Sequence, residues 1–154
     1  MSIDIGSPAP TFTLPSDGGG TVDLAALKGR NIILYFYPKD DTPGCTTEAC
    51  AFQEAQPDFS AADAVVIGVS RDSAASHDKF KQKYGLAFAL ASDAEGQVCE
   101  AYGVWVEKTN YGKKYMGIER STFLIDAAGI VRKIWRKVSV KDHAAEVLAA
   151  LKSL

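Results

Sequence analysis

The run Asn31-Ile32-Ile33-Leu34-Tyr35-Phe36-Tyr37 has no alternation of polar and apolar positions, the pattern of a strand covered on both faces at the centre of a sheet. Beyond it, Cys45, Ala49, Phe52 and Phe59 recur at helical spacing and share one side of a predicted helix, with Thr42 as its N-cap and Pro43 at its first position. A second unalternating run, Ala64-Val65-Val66-Ile67-Gly68-Val69-Ser70, predicts another buried strand, and the spacing from about Ser73 to Tyr84 predicts a helix carrying Phe80 and Tyr84 inward. A strand–helix–strand unit of this kind crosses over right-handed, so the two strands are expected to be parallel.

On the N-terminal side, Thr11-Phe12-Thr13-Leu14 and Thr21-Val22-Asp23-Leu24 alternate around Pro15-Ser16-Asp17-Gly18-Gly19-Gly20, which reads as a hairpin added to the main sheet. On the C-terminal side, Phe88–Ala91 predicts a short strand, and Ala94–Tyr102 a short helix closed by Gly103. The stretch Val104–Gly117 reads as irregular. Thr122–Asp126 and Ile130–Trp135 predict a second hairpin about Ala127-Ala128-Gly129, and the last helix, from about Val140 to Leu151, is expected to bury Val140, Ala144, Val147, Leu148 and Leu151. This order is that of a thioredoxin-like α/β fold: a three-layer sandwich with a mixed central sheet and an N-terminal β-hairpin extension. With 154 residues, 47% of them hydrophobic, one domain over 1–154 is expected.

The formal charge is −2 and Lys and Arg form no block, so no electrostatic footprint for nucleic acid or anionic lipid is expected; Lys113-Lys114 reads as a solvated turn. Met1–Pro8 has neither a basic start nor an apolar core, and no later segment has the apolar length to cross a bilayer. A soluble, cytoplasmic protein is the expectation. Three cysteines argue against a structural disulfide framework, and no four-ligand zinc cluster stands out. No cofactor site is expected.

Residue type alone makes Cys45 a small buried hydrophobe, but its position reverses that. In the first helical turn, unpaired backbone N–H groups and the positive end of the helix dipole favour thiolate, and Gly44 leaves the approach open. Lowering a thiol from about 8.5 to about 6 gains roughly thirtyfold in thiolate at pH 7, and reduced nucleophilicity takes back all but a factor of about two. Fast chemistry therefore also needs donors aimed at the atoms on which charge builds. Thr42, the N–H groups near Gly44 and Cys45, and a remote arginine are the candidates.

Cys50 lies five residues on. In an intact helix such positions are about 140° apart around the axis with Cα atoms roughly 8 to 9 Å apart, too far for a disulfide without unwinding. Partner of Cys45 and bystander both remain open on spacing. Cys99 has no local signature and reads as core. Arg71 follows one strand end and Arg120 precedes another, and position does not choose between them. His77 and His143, among polar neighbours on helices, read as surface residues, and no Cys–His pair suggests a cysteine hydrolase. Trp105, Tyr111 and Tyr115 read as ordinary packing.

Pro38-x-x-x-Thr42-x-x-Cys45 resembles the peroxiredoxin active-site signature. The longer Tyr35-Phe36-Tyr37-Pro38-Lys39-Asp40-Asp41-Thr42-Pro43-Gly44-Cys45-Thr46-Thr47-Glu48-Ala49-Cys50 resembles the bacterioferritin-comigratory, or Q-type, branch. Tyr102–Trp105 and Gly117–Asp126 are similar to the same branch, so the resemblance spans nearly the whole chain. It implies that Cys45 is the peroxidatic cysteine and Cys50 the resolving one, that Thr42 contacts the peroxide, and that Pro38 shields the pocket. It also implies that Arg120, not Arg71, holds the thiolate and polarises the peroxide, with Glu48 assisting that network. The implied cycle reduces hydrogen peroxide and organic hydroperoxides, closes an intramolecular Cys45–Cys50 disulfide and is reset by thioredoxin, in antioxidant defence and as a monomer. Cys99 departs from the branch's motif. Two other functions are weighed against this one: a disulfide reductase, for which the spacing C-x₄-C in place of C-x-x-C is wrong, and a redox sensor that recruits a partner through an oxidised, unwound helix.

Overall fold

The computed structural model describes residues 3–154; Met1 and Ser2 of the N-terminal segment read above lie outside them. Five strands form the central sheet: β3 (Asn31–Phe36) at its middle, β4 (Ala64–Ser70) and β5 (Ala89–Ser92) parallel to it on one side, and on the other β8 (Ser121–Ile125) antiparallel to β3, with β9 (Val131–Trp135) antiparallel to β8 at the edge. The absence of alternation in β3 has its expected cause, because both faces are buried. Ile32, Leu34 and Phe36 enter one core with Phe123, Ile125 and Tyr102; Ile33, Tyr35 and Tyr37 enter the other with Phe52, Phe59, Phe80 and Val147.

The second core lies under four helices: α1 (Pro43–Glu54), α2 (Gln56–Ala61), α3 (Ala74–Tyr84) and α5 (His143–Lys152). The first is covered by α4 (Gln97–Ala101) and the N-terminal segment. That segment contains β1 (Thr13–Pro15) and β2 (Thr21–Asp23), which pair with each other and not with the main sheet; a single bridge, Ser16 to Ala91, touches β5. Among the described residues no helix is long and apolar enough to cross a membrane.

Several expectations are corrected. The helix through Cys45 and Phe59 is two helices, broken at Ala55 because Pro57 supplies no N–H and its ring crowds the preceding turn. The helix expected over 94–102 starts only at Gln97, since Gly96 sits at φ 78°, and Asp93 accepts from the N–H groups of Val98 and Cys99 instead. The last helix begins at His143, after Asp142 at φ 59°, which leaves Val140 outside it. The stretch read as irregular is a hairpin, β6 (Trp105–Asn110) with β7 (Lys113–Ile118), turned by Tyr111 and Gly112 at φ 52° and 78°. Apart from Ile118 its residues are half or fully exposed, so the strands lack the alternation that marks a half-buried strand. Lys113 and Lys114 are solvated as expected but belong to the strand, and Tyr111 is 98% exposed and Tyr115 exposed, so neither packs as read.

Candidate active site

β3 ends at Phe36, the chain turns through Pro38–Asp41, and α1 begins at Pro43. Thr42 occupies the N-cap position with extended backbone, but its side chain does not cap the helix; the hydroxyl donates instead to the Lys39 carbonyl at 2.9 Å. The oxygen keeps acceptor capacity, and the N–H groups of the first turn keep no side-chain partner. Cys45 therefore sits, 1% exposed, in the first turn of an uncapped helix end and against Tyr35, Ala49 and Phe52 in the core beneath.

Arg120, between β7 and β8, reaches this turn from the start of β8, beside the end of β3 where Ser121 faces Phe36. Its Nη2 donates to Cys45 Sγ at 3.2 Å and its Nη1 to Glu48 Oε1 at 2.7 Å. Gly44 makes room for it, since a Cβ there would lie 3.1 Å from Nη2. Arg71 lies apart, donating to the Ala94 carbonyl and stacking over Trp105 at 4.5 Å. Geometry thus separates two arginines that strand-end position does not.

Glu48 follows Cys45 by nearly one turn, so its carboxyl and the Cys45 sulfur share one guanidinium in a buried place. Burial pushes the Glu48 carboxyl up to about 7, against the opposing pull of Arg120, and its Oε2 has no protein partner. The Tyr35 hydroxyl is likewise buried and unpartnered, and burial with the negative charges of Glu48 and Cys45 pushes it well above the ordinary tyrosine value. Arg120 is held protonated by Glu48 and Cys45 despite its own partial burial.

His77 and His143 are both buried, contrary to the surface reading. His143 Nε2 lies 2.8 Å from the Thr122 hydroxyl, and burial together with repulsion from Arg120 pushes it down to about 4, so it is neutral near pH 7. His77 lies under the loop before α1, bonded to Asp40. Neither burial nor the role of Asp40 carries a signature in the polar local sequence; the neighbours that cover these rings come from β3, β5, β8 and β9. Lys108 is also missed: on β6 it is pushed down by burial and by Arg120, opposed by the charge of Cys45.

The three cysteines are unbonded, with Cys50 half-buried and Cys99 wholly buried in the other core. Burial and the neighbouring Asp93 push the Cys99 thiol far up, which suits an inert core residue. Pro38 is exposed and lines a groove of about 510 Å³ with Lys39, Arg71, Trp105, Lys108 and Met116. A groove of about 530 Å³ between Phe12 and Tyr102 includes none of the residues around Cys45. Among the described residues no group of three or more His, Cys, Asp or Glu is arranged to hold a metal.

Comparison with known proteins places this geometry. The AhpC/TSA family profile matches residues 5–134. Peroxiredoxin Bcp of Bacillus subtilis is 56% identical over 154 residues, covering 100% of this chain and 98% of that protein. Among solved structures, the bacterioferritin comigratory protein of Xanthomonas campestris, described for its alkyl peroxide reduction activity, superposes with a TM-score of 0.91 at 48% identity, covering 98% of this chain and 96% of that one. A cysteine-to-serine mutant of Xylella fastidiosa PrxQ gives 0.94 at 41% identity, with coverage of 99% and 98%.

Proposed function

Because the chain belongs to the AhpC/TSA family, as a thiol peroxidase of its bacterioferritin-comigratory peroxiredoxin branch, we propose that Cys45 is its peroxidatic cysteine and Cys50 its resolving one. The observation that carries this assignment is the first-turn position of Cys45 with the Arg120 guanidinium 3.2 Å from its sulfur. A cation and unpaired helix N–H groups favour the thiolate, and the same donors face the oxygens on which charge builds as the O–O bond stretches. Thr42 accepts from the peroxide hydroxyl through the lone pair its bond to Lys39 leaves free, Pro38 walls the approach, and Glu48 fixes the guanidinium.

The thiolate attacks the distal oxygen; the S–O bond forms, the O–O bond breaks, the hydroxyl hydrogen stays on the transferred oxygen, and the departing alkoxide leaves as the alcohol by taking from water the proton that the Cys45 thiol released on ionising. The resulting Cys45 sulfenic acid is attacked by the Cys50 thiolate; the S–S bond forms, the S–O bond breaks, and the expelled hydroxide leaves as water with the proton Cys50 gave up on ionising. That step requires the first turns of α1 to unwind, because i and i+5 Cα atoms in a helix are roughly 8 to 9 Å apart. A dithiol protein of the thioredoxin type returns both electrons by thiol–disulfide exchange. The substrates are hydrogen peroxide and alkyl hydroperoxides, consistent with the activity named for the Xanthomonas protein, and the enzyme works as a single-domain cytoplasmic monomer.

Intact mass and peptide mapping after one equivalent of hydrogen peroxide test the assignment. Wild type is expected to lose about 2 Da at Cys45–Cys50, and Cys50→Ser to stop at sulfenic acid on Cys45. A disulfide through Cys99 or between chains would overturn the role of Cys50, and oxidation undiminished in Cys45→Ser would overturn that of Cys45.

A further inference from the structure

Asp40 and His77 make none of the contacts around Cys45, yet both are buried, His77 at 0% exposure. Asp40 Oδ1 accepts from the Tyr37 hydroxyl at 2.5 Å, and its Oδ2 accepts from the Ser76 hydroxyl at 2.8 Å and lies 2.7 Å from His77 Nδ1. The other imidazole nitrogen, Nε2, lies 3.0 Å from the Ala91 carbonyl. The ring is therefore held at both ends, Nε2–H donating to the carbonyl and Nδ1 sharing one hydrogen with Asp40 Oδ2.

The pair also ties down a particular piece of chain. The Asp40 N–H donates to Asp72 after β4 at 2.8 Å. Next along, Asp41 stands at φ 57°, and its carboxylate accepts from Lys83 Nζ at 2.8 Å and from the Tyr84 hydroxyl at 2.6 Å. Ser76 and His77 lie two turns from Lys83 and Tyr84, about 10 Å along α3. α3 thus grips the lead-in to α1 at two points, with Thr42 and Pro43 immediately beyond them.

We propose that Asp40 and His77 are positioning residues for peroxide reduction: with the Asp41 grip they hold Pro38–Pro43, and with it Thr42 and the start of α1, on α3 while the first turns of α1 unwind and re-form. The proposal rests on the Cys45 and Cys50 assignments above. None of its ties involves Cys45 or Cys50, so all survive the melting that disulfide closure demands. Without them the disorder would run back through the loop to the end of β3, and Thr42 would return to no fixed place. A displacement of about 1 Å at such a residue slows chemistry by up to about a hundredfold.

Two measurements decide it. Hydrogen exchange of the oxidised wild-type protein should find the Asp40 amide still protected while amides in the first turns of α1 exchange freely, and Asp40→Asn should lose that protection; an unprotected Asp40 amide in oxidised wild type overturns the proposal. Stopped-flow kinetics, which separate second-order oxidation of Cys45 from first-order disulfide closure, should show oxidation slowed about tenfold or more in Asp40→Asn and His77→Gln, well below their melting temperatures. Oxidation at the wild-type rate in a folded variant overturns it. If neither variant folds, the exposed Asp41→Asn tests the other grip, with oxidation expected to fall about threefold and an unchanged rate counting against the proposal. Failure of the Cys45 assignment would appear separately, as oxidation that survives Cys45→Ser.

Discussion

Replacing Glu48 by glutamine removes one ionisable group and almost no volume from a site only 1% exposed. In the wild-type protein burial raises this carboxyl from an ordinary 4.5 to about 7, with Arg120 already pulling the other way. At about 1.4 kcal/mol for each tenfold change in proton affinity, ionising Glu48 in the folded protein costs about 3 kcal/mol more than in the unfolded chain. Since the folded value is the raised one, the folded protein keeps its proton where the unfolded chain has lost it. Stability is therefore full below about 4.5, declines as pH rises toward about 7, and is flat above. Glutamine never ionises and shows no such decline. Urea unfolding of both proteins under reductant, from about pH 5 to 8 at fixed ionic strength, should find Glu48→Gln ahead by up to about 3 kcal/mol at the upper end and by about 1 or less at the lower. A difference that is flat with pH, or a variant less stable at pH 8, would show instead that the pair with Arg120 matches or outweighs burial.

Two further substitutions separate packing from chemistry. Gly44→Ala should improve helix propensity and hold or raise the melting temperature, while its Cβ, 3.1 Å from Arg120 Nη2, displaces the guanidinium; stopped-flow oxidation is expected to slow about tenfold to a hundredfold, and an unchanged rate would show that Arg120 need not be so placed. Cys99→Ala should leave turnover unchanged and cost about 1 kcal/mol in urea unfolding, and native Cys99 should resist an alkylating reagent that labels Cys50.

The sheet was legible because its strands carry their burial in their own composition: β3 and β4 are apolar but for Asn31 and Ser70 at their ends and lie inside the sheet, as their lack of alternation requires. The β6–β7 hairpin was not, because its strands are largely solvent-exposed and only the turn at Tyr111-Gly112 marks them. In the site, Cys45 was visible from a local feature, a helix start after Thr-Pro-Gly. Arg120 needed the family resemblance, being 75 residues from Cys45 in sequence. His77 and His143 were misread for the same reason in reverse: their neighbours in sequence are polar, and what buries them comes from strands far along the chain. Contacts made within one turn are written locally; those made across the sheet are not.

The strain at Glu48 bears on the proposed cycle as well as on stability. Closing Cys45 onto Cys50 must melt α1 through Cys50, and within that stretch only Cys45, Glu48 and Ala49 are buried. Two of these are small, so little apolar surface is exposed, at about 0.8 kcal/mol per CH₂. Phe52 marks where melting should stop, stacked on Tyr35 at 4.7 Å and lying 6.0 Å from both Phe59 and His143. Glu48 works toward opening: carried into water, its carboxylate recovers the roughly 3 kcal/mol that burial withholds above pH 7. The substitution that stabilises the folded helix should therefore slow disulfide closure. In Glu48→Gln the first-order step after sulfenic acid formation is expected to fall by up to about a hundredfold at pH 8, and the two proteins to converge as pH falls toward 5. Closure that is equally fast in both at pH 8 would mean that Glu48 stays buried while the cysteines meet.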